Sequence, residues 1–69
     1  MEVRMAKVFK FSEGDRVDCL DYHGPLGAAG TILKRWEEWG FLYYQVAWDG
    51  GNPDGHVEIE STLVPLESP

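Results

Sequence analysis

The chain has 69 residues, a formal net charge of −6, 43% hydrophobic residues and one cysteine; this leaves room for one small core and excludes a multi-domain enzyme. A chain of this size buries only about 60% of its unfolded surface on folding, so pairing with a second copy is a natural route to extra stability. Cys19 alone excludes an internal disulfide and a cysteine-paired zinc ribbon, and it fits a reducing compartment.

Residues 1–11 read as an N-terminal arm or added strand. Within residues 1–10, Glu2 stands against Arg4, Lys7 and Lys10, a net +2, which leaves −8 on residues 11–69. So acidic a body repels phosphate backbones and argues against nucleic-acid binding. The first residues lack the apolar stretch of a signal peptide, and no run approaches the roughly 18 apolar residues of a membrane span, so a cytoplasmic location with no membrane partner is expected. Met5 is an alternative start to Met1.

Helical periodicity is nearly absent, whereas alternation of period two recurs between turn signals, which predicts an all-β chain. Arg16–Leu20 is the first short strand, and Asp21–Gly30, with three glycines and Pro25, reads as a long irregular loop. Thr31–Trp36 pairs as a hairpin with Phe41–Trp48 across the turn Glu37-Glu38-Trp39-Gly40. In the second of these strands Leu42, Tyr44, Val46 and Trp48 form the core side, while Phe41, Tyr43, Gln45 and Ala47 form the other. Asp49–Gly55 is a glycine-rich connection. In His56–Glu60 the expected inward residues are Val57 and Ile59, with His56, Glu58 and Glu60 outward. Ser61-Thr62-Leu63 reads as a 3₁₀ turn before a last strand at Val64-Pro65-Leu66.

Gly14-Asp15-Arg16-Val17, Gly30-Thr31-Ile32, Tyr44-x-Val46-x-Trp48-Asp49-Gly50 and Ser61-Thr62-Leu63-Val64-Pro65-Leu66 resemble the signposts of SH3-like barrels of the Tudor, KOW and mind-bomb type. The resemblance covers residues 12–67. It implies a single five-stranded barrel with a short 3₁₀ turn before its last strand, an architecture that hosts many unrelated activities. In Tudor-like members an aromatic cage holds a methylated cation; the residues here from which one could be assembled are Tyr22, Tyr43 and Trp48 with Asp49 or Asp21. Gly14-Asp15-Arg16-Val17 and Val57-Glu58-Ile59-Glu60 also resemble segments of the type II dihydrofolate reductases, small barrels that build a pore between subunits. Here Glu58 and Glu60 stand where that family has glutamine and tyrosine, and a pore ringed by glutamates would repel a phosphorylated cofactor.

The remaining chemistry is sparse. Cys19, Asp21 and His23, with His56, are metal-ligating types whose spacing matches no ligand pattern, and no phosphate-binding glycine loop is present. No catalytic residue, metal or cofactor is expected. The candidate partner-binding residues are Trp36, Glu37, Glu38, Trp39, Phe41 and Tyr43 around the hairpin, with Glu58 and Glu60 outward; Asp18 and Asp21 could extend the acidic groove. Together they describe a non-catalytic module whose acidic, aromatic-bearing face binds a basic protein or peptide. Two other readings are a small oligomeric barrel of the reductase type with a ligand in an inter-subunit pore, and mimicry of DNA by carboxylates, as a phage- or mobile-element-encoded inhibitor would use.

Overall fold

The computed structural model describes residues 8–66. Arg4 and Lys7 of the expected arm, and Glu67 at the end of the expected barrel, lie outside them. Six strands form in the order β1 (Arg16–Asp21), β2 (Gly24–Pro25), β3 (Gly30–Glu38), β4 (Phe41–Trp48), β5 (His56–Ile59) and β6 (Leu63–Pro65), with a 3₁₀ turn at Glu60–Thr62 before the last. The chain is mainly β, but the five-stranded SH3-like barrel is not what forms.

The strands make one open antiparallel sheet, ordered β2-β1-β3-β4-β5, with β6 also on β1. β1 serves three partners along its length: β3 at Arg16 and Val17, β6 from Val17 to Cys19, and β2 at Leu20 and Asp21. No ladder among the described residues joins β5 to β6 or β1, so the sheet is not closed and the resemblance to SH3-like barrels fails. β6 spans only three residues, all of them laddered to β1, and it ends on Pro65, which has no N–H to donate.

The expected long loop is tied down. β2 pairs Leu20 with Pro25 and Asp21 with Gly24, and the Leu26 N–H donates to the Cys19 carbonyl at 2.9 Å. A two-residue Gly-Pro strand has no periodicity from which it could be read.

The core consists of Phe11, Val17, Ile32, Tyr44, Val46 and Leu63, with Phe9 and Trp48 packed against it. Leu42 is also buried, so the apolar parity of β4 is the core face. Phe9 and Phe11 meet the Tyr44 ring edge-on, with centroids 6.0 and 5.6 Å away, an arrangement that suits the ring quadrupoles. The end of the expected arm is therefore part of the domain. Arg35 fastens it, its guanidinium 4.8 Å over the Phe9 ring and donating to the Phe11 carbonyl at 2.7 Å. On the opposite strand Gly30 lies so close to Trp48 and Val46 that a Cβ would come within 2.6 Å of the indole. Only glycine lets β3 start there.

Candidate functional site

β3 and β4 are joined by two residues, Trp39 and Gly40, with φ of 55° and 81°. Positive φ at both positions is what a type I′ hairpin turn demands, and it suits the right-handed twist of the flanking strands. The turn is the second half of the expected tetrapeptide, because Glu37 and Glu38 are still laddered to Leu42 and Phe41. Trp39 is the exception to the chemistry of such turns. It is the one non-glycine residue at positive φ among the described residues, and 89% of its surface is exposed.

Directly paired residues project from the same side of a sheet, so the register assigns faces. A bulge between Ile32 and Lys34 shifts β3 by one residue. Trp36 thereby pairs with Tyr43, and their rings stack with centroids 5.9 Å apart and planes 22° from parallel. On β5, Ile59 pairs with Tyr43 and Val57 with Gln45, whereas Glu58 pairs with Tyr44 and His56 with Val46. This reverses the expected facing of β5. Val57 and Ile59 join the outer face and Glu58 looks to the core side, because the register with β4, rather than the apolar pattern of β5, decides which parity turns inward.

The outer face of β3, β4 and β5 thus carries Trp36, Phe41, Tyr43, Val57 and Ile59. Phe41 and Val57 are exposed, Trp36, Tyr43 and Ile59 half-buried. Glu38 stands at its hairpin end and Lys34 toward the other, so it is less acidic than expected. Glu37 is exposed beside the turn. Glu60 is engaged elsewhere: one carboxylate oxygen accepts the Tyr44 hydroxyl at 2.6 Å and the Lys10 N–H at 2.9 Å. Glu58 accepts a long hydrogen bond, 3.4 Å, from the Thr62 hydroxyl.

The aromatic cage does not assemble. Tyr43 and Trp48 belong to opposite parities of β4 and point to opposite faces. Tyr22, at the tip of the β1–β2 turn, leans on His23, with ring centroids 4.2 Å apart and planes tilted by 38°. The Asp49 carboxylate is gripped by Arg16, which donates to both of its oxygens at 2.9 and 2.5 Å and holds Asp49 below the usual carboxylate range through that hydrogen bond and its charge.

No three His, Cys, Asp or Glu side chains among the described residues converge as a metal set. Asp21 caps its own turn by accepting the His23 N–H at 2.8 Å. Cys19 is half-buried; burial and then the charges of Glu58, Asp18 and Asp21 push its thiol up. A thiol in those surroundings keeps its proton at neutral pH and is a poor nucleophile.

Sequence reasoning missed Val57 and Ile59 as outer-face residues. The only signal was that both parities of the neighbouring strand are apolar at Tyr43 and Tyr44. No protein-family model, curated protein or solved structure matches this chain.

Proposed function

We propose that the chain is a non-catalytic protein-interaction module that holds a partner segment on the outer face of β3, β4 and β5, anchored at the hairpin tip by Trp39. One observation carries this reading. An exposed tryptophan occupies a left-handed turn position where asparagine or glycine would fit without strain. Such a residue costs stability and buries nothing in the folded chain, and strain of this kind collects at functional positions. Phe41 beside the tip and the stacked Trp36–Tyr43 pair extend the apolar contact, and exposed aromatics are the usual anchors of interfaces.

Glu38 lies on the outer face beside the tip and Glu37, paired with Leu42, adds its charge from the other side of the hairpin, so the partner residues that meet Trp39 are basic, drawn by the negative net charge of −6. Glu58 and Glu60 have no part in this face. The inter-subunit pore rested on a closed barrel, and the open sheet removes its basis.

The test is selection of random peptides on the native chain, with the winners measured again on Trp39→Asn. Winners rich in lysine or arginine should bind more weakly as salt rises and lose about tenfold or more on the variant. Winners indifferent to both changes would overturn the reading.

A further inference from the structure

Asp18 is the one charged side chain among the described residues that is buried, with 6% of its surface exposed. Its carboxylate accepts the Cys19 N–H at 2.7 Å on one oxygen and the Gly27 N–H at 3.1 Å on the other. An ionised carboxylate offers about four acceptor sites, so half of its capacity is unspent. It has no cation either: the one salt bridge among the described residues joins Arg16 to Asp49.

Asp18 does not face a closed interior. It lines a cleft of about 620 Å³ with Pro25, Gly27, Val64, Pro65 and Leu66. The walls are otherwise largely apolar, and the Asp18 carboxylate is the one charged side chain in the lining. Asp18 is the one metal-ligating side chain in the lining, and no three such side chains converge among the described residues, which does not suit a calcium ion that takes six or more oxygens. What the walls complement is a cation with an apolar body, one that leaves its charge on the floor and its carbons against the sides.

We propose that this cleft binds an alkylammonium or alkylguanidinium group, its head on the Asp18 carboxylate and its chain against Pro25, Pro65 and Leu66. The chemistry is that of a lysine or arginine side chain and equally of a free aliphatic amine. The cleft shares no residue with the outer face of β3, β4 and β5, so it stands or falls independently of the reading given for that face.

The experiment is an amide-resolved NMR titration of the isotope-labelled full chain with n-butylammonium, with N-acetyl-lysine methylamide, and with n-butanol as the neutral control. The amides of Cys19 and Gly27 report directly, since their protons rest on Asp18. Both cations should shift them saturably, and the alcohol should bind about tenfold or more weakly, as loss of a charged hydrogen bond implies. Tighter binding of the lysine derivative assigns the cleft to a protein side chain; tighter binding of butylammonium assigns it to a free amine. Asp18→Asn should abolish the response to the cations. If that variant loses its dispersed spectrum, Leu66→Lys, which offers an intramolecular ammonium from the cleft wall, should block the response instead. The proposal is overturned if the cations leave both amides unmoved, if butanol matches them, or if a folded variant responds as the native chain does.

Discussion

The Tyr44 hydroxyl uses all of its hydrogen-bonding capacity. It donates to Glu60 at 2.6 Å and accepts the N–H groups of Lys10 and Phe11 at 3.1 and 3.2 Å. Tyr44→Phe strands the buried Phe11 N–H, so urea unfolding should show a loss of about 1–3 kcal/mol. Burial, followed by the hydrogen bond to Glu60, holds the phenol above its ordinary value of 10. The native state keeps that proton where the unfolded chain gives it up, so its contribution is intact below pH 10 and is lost as the pH rises above it. Melting curves across that range should show the decline in the native chain, with the Tyr44 part of it missing from Tyr44→Phe. At the hairpin tip the sign is opposite. Trp39→Asn supplies the residue a type I′ turn prefers, and it should raise stability by about 1 kcal/mol in the same assay. Tyr44 was legible as core because its strand alternates; its partners Phe9 and Phe11 were not, since two rings in an irregular stretch carry no period.

At the level of elements, β3 and β5 show what alternation can and cannot decide. Plain alternation from Ile32 would turn Lys34 and Trp36 inward; the bulge at Leu33 places Trp36 with Tyr43 instead. Nothing in the residues Leu33-Lys34-Arg35 marks the bulge. β5 has a clean alternation whose phase is opposite to the one its apolar residues predict, because Val57 and Ile59 extend an outer patch rather than the core. The phase between β4 and β5 is set in the connecting loop. There the Asn52 side chain accepts the Asp54 N–H at 2.9 Å, its carbonyl accepts the Gly55 N–H at 3.0 Å, and Gln45 Nε2 donates to the Asp54 carbonyl. The register makes a sharp claim about Val57, which is 60% exposed. Val57→Lys should change stability by less than about 0.5 kcal/mol, as surface substitutions do, whereas an inward Val57 would make it severe. Chemical denaturation separates the two.

For the whole molecule, the signposts that suggested a barrel are local. Each specifies a turn or the start of a strand, and strands do form at Arg16, Gly30 and Leu63. Closure is a different property, a ladder between distant edges, and no short motif encodes it. A chain of this length has a total stability of roughly 3–10 kcal/mol. Phe11→Ala, which empties a buried site in a six-residue core cluster, should cost about 3–5 kcal/mol and leave the variant partly unfolded at room temperature, as circular dichroism would show. The manner of that loss follows from how far Phe11 lies along the chain from its partner. The β3–β4–β5 meander closes through short connections, whereas the Phe11–Tyr44 bond spans 33 residues. Long-range contacts are entropically expensive to form early, which places docking of the Phe9–Phe11 segment after the meander has formed. In stopped-flow kinetics Phe11→Ala should therefore unfold faster while refolding at nearly the native rate; the short segment beside Tyr44 acts as a latch that sets the lifetime of the folded state and leaves the route to it unchanged.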